Sequence, residues 1–517
     1  MRKLRISVCR RQIVRNFSIK IERNYEDAIN ALNSLQTNFA TLENIRAQGT
    51  RKASALALPE MIEWTRRIGY RPQDLDALRI IHVTGTKGKG STCAFTASIL
   101  NEYSDSLPKI GLYTSPHLKS VRERIRINQH PISAELFTKY FFEVWDRLQE
   151  TKSDIDLFPD MAGPAVRPVY FRYLTLLSFH VFLSEKVDSA VYEVGIGGEY
   201  DSTNIIVHPT AVGISSIGID HTRVLGHTLS EIAWNKSGIM KPGTKAFSVN
   251  QKPEAWNVLS DRAFEKNVPL VKVEILSALD QVPLGIDGEY QKINASLAIA
   301  LAKEHLLRLN VPTELDRLDE SHLPAKFVKG IENARWPGRC QTLLDKPTNG
   351  QVEFLLDGAH TEDSIAVAAN WFATKAKNKA TKKVLLFNQQ TRDASALVNR
   401  MHSILGADVN FDEVIFCTNT VWKKQSARVA AELTSINVSD SDVQNLVVQK
   451  QLAETWARID GRSKRTIFPS VEEAVQYVRE LVASPVESEG NSKVAVQVFA
   501  TGSLHLVGAL LVLLEDE

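Results

Sequence analysis

The sequence predicts an α/β protein of two unequal units, each built around its own sheet, the larger one mainly parallel. Three observations carry this. Between residues 78 and 217 short apolar runs that end in glycine or polar turns alternate with longer segments of helical spacing, and such alternation implies parallel strands covered by helices on both faces. The pattern resets around Trp336-Pro337-Gly338-Arg339. Beyond that point a second set of apolar runs, again with helical segments between them, begins at Val352.

Bulk properties bound the reading. The 517 residues are 44% hydrophobic and 24% charged, as in a globular protein with real cores. A net charge of +2 implies no bulk attraction to nucleic acid or to a membrane surface. Cys9, Cys93, Cys340 and Cys417 lie far apart, form neither a metal-ligand pair nor a disulfide framework, and read as buried or inert thiols of a reducing compartment. No apolar run reaches the roughly 18 residues of a spanning helix. The longest, 169–183 with Arg172 and His180 and 504–514 with His505, read as buried helices.

Residues 1–21 carry Arg2, Lys3, Arg5, Arg10, Arg11, Arg15 and Lys20 with no acid, and Leu4, Ile6, Val8, Ile13, Val14 and Phe17 lie between the charges. That composition suits a mitochondrial transit peptide, and Arg15-Asn16-Phe17-Ser18 resembles a presequence cleavage site; a plain basic tail is the alternative. The expected localisation is mitochondrial, in the matrix or associated with the inner membrane. A start at Met61 would delete residues 25–60, so a cytoplasmic pool is expected to come from incomplete import.

The elements follow in order. Ala28, Ile29, Leu32 and Leu35 have helical spacing over 25–35, and a second helix covers about 58–68. A strand at 78–83 runs into Thr84-Gly85-Thr86-Lys87-Gly88-Lys89-Gly90-Ser91-Thr92 and a helix over 91–103. A short strand, 110–113, ends in Thr114-Ser115-Pro116-His117. The apolar helix 170–184 precedes a strand over 189–194, which enters Gly195-Ile196-Gly197-Gly198. The strand 211–217 leads to Gly218-Ile219-Asp220-His221, and a helical run covers 230–239. In the second unit 352–356, 383–387, 413–417 and 494–499 are strand candidates, and 487–492 is a polar surface loop. There are no internal repeats and no low-complexity segments.

A strand that ends in a glycine turn and opens a helix holds phosphate, because backbone N–H groups and the helix N-terminus face the anion. Lys89 can reach terminal phosphates, and Ser91 or Thr92 can offer a hydroxyl to an accompanying magnesium. The loop departs from G-x-x-x-x-G-K-[ST]: its first glycine comes two residues late, and Gly90 separates Lys89 from Ser91. Ligands gather at the carboxyl ends of parallel strands, and four strand ends here carry polar or glycine-rich signals. Glu193 ends an apolar strand, where a carboxylate needs a partner: magnesium, or else an arginine or backbone amide. Ser115 is a hydroxyl ligand or a turn residue, and His221 a ligand or a hydrogen-bonded loop histidine. Lys236 stands near the end of its helix, where a lysine complements the dipole. Asp357 and His360, in Leu356-Asp357-Gly358-Ala359-His360, bind a ligand or cap the next helix. Thr501-Gly502-Ser503 is a comparable turn.

Taken together these segments resemble the folylpolyglutamate synthase family of the Mur ligase superfamily, from about Tyr25 to Gly508. The markers are HVTGTKGKGST (82–92), TSPHL (114–118), RERIRIN (122–128), YFRYLTLLSFHVF (170–182), EVGIGGEYDSTN (193–204), GIDHT (218–222), LGHTLSEIAWNKSGIMKPG (225–243), QKINASLAIAL (291–301), WPGR (336–339), LDGAH (356–360) and ATGSLHLVG (500–508). The resemblance implies a P-loop Mur-ligase-like ATPase domain over 22–338 and a smaller Rossmann-like glutamate ligase domain over 339–517. It implies a ligase that phosphorylates a folate carboxylate with ATP and joins L-glutamate to the acyl phosphate, retaining folates in the cell as polyglutamates. Gly85, Thr86, Lys87, Gly88, Lys89, Gly90 and Ser91 would wrap the ATP phosphates, with Lys89 on the γ-phosphate. Ser115, Glu193 and His221 would hold magnesium. Lys236 matches a position carbamylated in the superfamily, where a carbamate supports a second metal. Asn294 and Arg339 match nucleotide contacts, and Asp357 and His360 complete the cleft from the second domain. The implied ligands are ATP, reduced folates, L-glutamate, Mg2+ at two sites and a monovalent cation such as K+; the implied assembly is a monomer with no nucleic acid and no integral membrane segment. The family loop often has Asn in place of Lys87, and many relatives have Asn in place of Thr361. Two rival readings are a dihydrofolate synthase, which joins glutamate to dihydropteroate by the same chemistry, and a nucleotide-binding switch that kept only the loop.

Overall fold

The computed structural model describes residues 23–36, 50–163, 166–312, 314, 318–376, 381–390, 393–406, 409–423, 432, 440–483 and 494–515. The expected leader at 1–21 and the expected loop at 487–492 lie outside the described residues.

The first sheet has eight strands: β1 Ile81–Thr84, β2 Ile110–Tyr113, β3 Ile125–Ile127, β4 His130–Pro131, β5 Ser189–Glu193, β6 Ala211–Ile214, β7 Ala246–Val249 and β8 Leu270–Val273. Their order is β4-β3-β2-β5-β1-β6-β7-β8. The run from β2 to β8 is parallel, and β3 and β4 add an antiparallel hairpin at one edge. β1 lies between β5 and β6, with Ile81 beside Val191 and Ala211. The glycine turn after β1 is therefore flanked by the turns after β5 and β6.

Alternation along β5 shows why the strand runs are apolar throughout. Ala190 and Tyr192 enter a core shared with the helices Ala134–Glu150 and Tyr170–Ser184. Val191 enters the opposite core, shared with the helices Lys89–Asn101 and Gln291–Arg308. Successive side chains of a strand point to opposite faces, so a sheet covered on both sides needs apolar residues at every position. Phe179 stacks on Tyr192 with ring centroids 5.1 Å apart.

The second sheet contains β9 Gln341–Leu344, β10 Val352–Leu356, β11 Lys382–Phe387, β12 Glu413–Cys417, β13 Lys464–Phe468 and β14 Val496–Thr501, in the order β13-β12-β11-β14-β10-β9. Only β9 runs antiparallel to its neighbour. The helix Leu504–Glu515 is buried along nearly its whole length against this sheet. Among the described residues no helix is long and apolar enough to cross a membrane.

Differences from the sequence expectations have local causes. The strand expected from Leu78 starts at Ile81, because a 3-10 turn over Pro72–Leu78 ends on Arg79 in the left-handed region, φ +44°. The helix expected from Ser91 starts two residues earlier, at Lys89, so the last part of the glycine loop is already helical. β8 and β13 are edge strands with exposed charged residues, Lys272 and Lys464-Arg465. Edge strands keep such residues, which removes the apolar run by which a strand is recognised.

Two histidines within this framework contribute to its acid stability. His82 in β1 shares a hydrogen bond with Thr203 Oγ1 at 2.8 Å, and His305 bridges Ser189 Oγ (2.9 Å) and Thr210 Oγ1 (2.6 Å). Both rings are fully buried, and burial pushes each imidazole down from 6.5 to about 3. Between those values the unfolded chain binds protons that the folded chain does not, so this stability is complete above roughly pH 6.5 and falls as pH drops. Each histidine contributes a slope of about 1.4 kcal/mol per pH unit. Replacing His305 by Gln should flatten the pH dependence of urea unfolding between roughly pH 6.5 and 5 by that amount. An unchanged slope would contradict the assignment.

Candidate functional site

The site is built at the carboxyl ends of β1, β5 and β6, where the glycine loop meets the next helix. Gly88 caps the helix Lys89–Asn101 with φ +87° and no side-chain cap. The first N–H groups of a helix lack intrahelical acceptors, so an uncapped start presents them to a ligand. A Cβ at Gly88 would come within 2.1 Å of Asn294 Oδ1. At Gly90 it would come within 2.9 Å of Trp336 Nε1, so the glycine between Lys89 and Ser91 is the residue on which Trp336 rests. Thr86 and Lys87 donate their N–H groups to the Ser216 carbonyl at 2.8 and 3.1 Å, tying the loop to the chain after β6.

Two lysines converge on one carbonyl. Lys236 Nζ donates to Gly85 O at 2.7 Å and Lys89 Nζ to the same oxygen at 3.2 Å. Lys236 is only 3% exposed. Burial first, and then the like charge of Lys89, hold its ammonium well below the ordinary lysine range, against the pull of Asp220 and Asp201. The side chain thus enters the site, whereas a lysine serving the helix dipole would extend into solvent. Its neutral amine is the form that reacts with carbon dioxide.

Glu193 ends β5 and is 4% exposed. Its Oε2 accepts the Ser115 N–H at 3.0 Å. Burial raises this carboxyl, while Lys89, the Ser115 amide, Arg339 and Arg124 act to lower it. A carboxylate made costly by burial is stabilised in its charged form by a cation, and with the Ser115 hydroxyl it offers the oxygen donors that magnesium prefers. The structure brings Ser115 and Glu193 together. His221 comes from the turn after β6, in the left-handed region at φ +51°. Beside it Asp220 pairs with Lys87 at 3.3 Å, so Lys87 serves the loop partly through this partner. Among the described residues no group of three or more His, Cys, Asp and Glu side chains forms a metal cluster.

Arg339 and Asp357 reach the same cleft from the second sheet. The Arg339 charge acts on both Glu193 and Asp357. Asp357 follows β10, is 5% exposed, and accepts the Cys340 N–H at 3.0 Å and the Ala359 N–H at 2.9 Å. Burial raises its carboxyl and Arg339 counters that. His360 Nδ1 lies 3.0 Å from Gly358 O. Thr361 is the N-cap of the helix Glu362–Lys375, its hydroxyl accepting the Ser364 N–H, which accounts for the residue after His360. Ser91 Oγ accepts from Gln291 Nε2 at 3.3 Å, and Gln291 Oε1 accepts from Asn294 Nδ2 at 2.8 Å. Gln291 and Trp336 are the site residues that sequence reasoning passed over. The i, i+3 spacing of Gln291 and Asn294, which puts both on one helix face, was the available signal.

No protein-family model matches the chain. The folylpolyglutamate synthase of Saccharomyces cerevisiae strain FostersO is 50% identical over 506 residues, covering 97% of this chain and 89% of the yeast protein. Among solved structures, E. coli FolC in complex with DHPP and ADP has a TM-score of 0.65 at 20% identity, covering 96% of this chain and 98% of that one. Mycobacterium tuberculosis folylpolyglutamate synthase complexed with ADP has a TM-score of 0.65 at 22% identity, covering 95% of this chain and all of that one (100%). The two solved structures establish the likeness of fold.

The contact between Gly88 and Asn294 yields a direct test. Gly88→Ala adds a Cβ 2.1 Å from Asn294 Oδ1 at a φ that side chains rarely adopt. Nucleotide affinity by calorimetry should fall at least tenfold, about 1.4 kcal/mol, and unaltered affinity would show that the loop is not the phosphate site.

Proposed function

The chain belongs to the folylpolyglutamate synthase family, and on that premise we propose that it adds L-glutamate to folates with ATP, extending a γ-linked polyglutamate tail. The observation that carries this reading is the meeting of Lys89, Lys236, Glu193, Arg339 and Asp357 at one cleft between the two sheets. A plain nucleotide switch needs the loop alone. A ligase needs opposing charges around a phosphoryl group and a second acceptor site beside it.

In the proposed reaction a folate carboxylate oxygen attacks the γ-phosphorus of ATP, the bond to the β-phosphate oxygen breaks, and ADP leaves. The glutamate amine then attacks the acyl phosphate carbonyl. The C–N bond forms, phosphate departs with the electrons of the C–O bond, and the nitrogen loses a proton. The helix N-terminus after Gly88 and the Lys89 ammonium bind the phosphates, with Arg339 neutralising charge on the transferring group from the other side. Magnesium, held by Ser115, Glu193 and His221 and at a second place by a Lys236 carbamate, would supply charge neutralisation and orientation of the phosphates. Asn294 and Gln291 fix Gly88 and Ser91 in place. Asp357 and His360 close the cleft from the second sheet, and exclusion of water there protects the acyl phosphate.

A monovalent cation such as K+, action as a monomer, and the domain limits 22–338 and 339–517 belong to the same proposal. The basic, acid-free residues 1–21 support import into mitochondria, with a cytoplasmic pool.

The deciding assay supplies purified protein with Mg-ATP and glutamate, and either tetrahydrofolate or dihydropteroate, with products sized by mass. ADP release that needs both a folate and glutamate, and tetrahydrofolate products heavier by whole glutamyl units, are expected. Turnover with dihydropteroate alone would make the protein a dihydrofolate synthase. Lys89→Ala should lower turnover by a factor on the order of 10² or more with an unchanged circular dichroism spectrum, and near-normal turnover would remove Lys89 from the phosphate.

A further inference from the structure

The turn that leads into the helix Gln291–Arg308 touches both units of the protein. Asp287 Oδ2 accepts the Trp371 indole N–H at 3.1 Å and pairs with Lys375 Nζ at 2.6 Å, both on the helix Glu362–Lys375. Three residues on, the Tyr290 hydroxyl lies 3.3 Å from Cys340 Sγ. Cys340 Sγ in turn lies 3.6 Å from Asp357 Oδ2, the oxygen that also accepts the Cys340 N–H. The next residue, Gln291, donates to Ser91 of the phosphate loop. Residues 287–291 therefore join the phosphate loop of the first sheet to the buried carboxylate of the second.

Both middle groups are donors. Burial first, and the charge of Asp357 second, push the Tyr290 hydroxyl and the Cys340 thiol well above their ordinary ranges, so each keeps its proton at neutral pH. The thiol donates to the carboxylate and the hydroxyl to the sulfur. Cys340 also stands in the left-handed region, φ +43°, directly after Arg339. The residue that holds Asp357 thus sets the path of the chain as it leaves Arg339.

We propose that Tyr290 and Cys340 are positioning residues of the ligase reaction: together they hold Asp357, and with it Arg339, in register with the phosphate loop. The inference rests on the reading of Asp357 and Arg339 as groups of the nucleotide cleft. Neither Tyr290 nor Cys340 needs to touch substrate. Their effect passes through Asp357, so it should appear in the use of ATP and vanish when Asp357 has already lost its charge.

The test compares Tyr290→Phe, Cys340→Ala, Cys340→Ser, Asp357→Asn and the double variant Tyr290→Phe/Asp357→Asn, in the full-length protein, by steady-state kinetics and thermal melting. Tyr290→Phe and Cys340→Ala should each lower kcat/KM for ATP about three- to tenfold, the size of one ordinary hydrogen bond. KM for glutamate should stay within about twofold, Cys340→Ser should restore most of the loss, and Tyr290→Phe should add less than about twofold to Asp357→Asn. Wild-type kcat/KM in both single variants would overturn the proposal. So would equal losses in Cys340→Ala and Cys340→Ser that track a lowered Tm, the mark of a structural role. Normal kinetics in Asp357→Asn would remove the cleft reading itself. An impaired Asp357→Asn beside unimpaired Tyr290 and Cys340 variants would leave that reading standing and sink this one.

Discussion

Two lysine side chains directed at the single carbonyl oxygen of Gly85 are the constraint on which the rest of the site depends. Gly85 leaves the end of the central strand β1, so its carbonyl sits where the turns after β5 and β6 also arrive. Like charges this close repel, and low-dielectric surroundings make the repulsion strong. One relief is for the buried lysine to give up its proton, which is the direction in which Lys236 is shifted. The other is to bring anions. Asp220 and Asp201 already act on Lys236, and the uncapped helix start beside Lys89 is built to receive a phosphate.

Glu193 mirrors this arrangement. It is as buried as Lys236, and burial drives it too towards its neutral form. A buried amine and a buried carboxyl that both shift towards neutrality differ from an ion pair, in which each partner would hold the other charged. Each is held by backbone instead, Lys236 by the Gly85 carbonyl and Glu193 by the Ser115 amide.

Much of this was legible in the sequence, for physical reasons. The loop at 84–91, Ser115 and Glu193 follow short apolar runs, and strand ends in a parallel sheet are where ligands bind. The role of Lys236 was not legible from its helix, where a lysine near the C-terminus has a sufficient dipole explanation. Only the contact with Gly85, 151 residues away, separates the two accounts. Gly90 departs from the usual loop pattern because Trp336 packs against it. Tyr290 and Cys340 carried no signal at all, because their meaning lies in a chain of contacts across two sheets. Strands β8 and β13 were hidden for the opposite reason: as edges they keep charged residues and break the apolar run.

The two units cannot be treated as a catalytic half and a cover. Leu118, three residues after Ser115, packs into the core of the second sheet, among residues of the helix Leu504–Glu515. Lys119 forms an ion pair with Glu515 at the end of that helix. The segment that places the Ser115 amide on Glu193 is therefore anchored in the second unit, while the phosphate loop is anchored in the first through Asn294 and Ser216. Movement of one sheet relative to the other would then strain either the Ser115–Glu193 contact or the packing of Leu118. A hinge motion in this protein would therefore load the segment that carries Ser115 as well as change solvent access to the cleft.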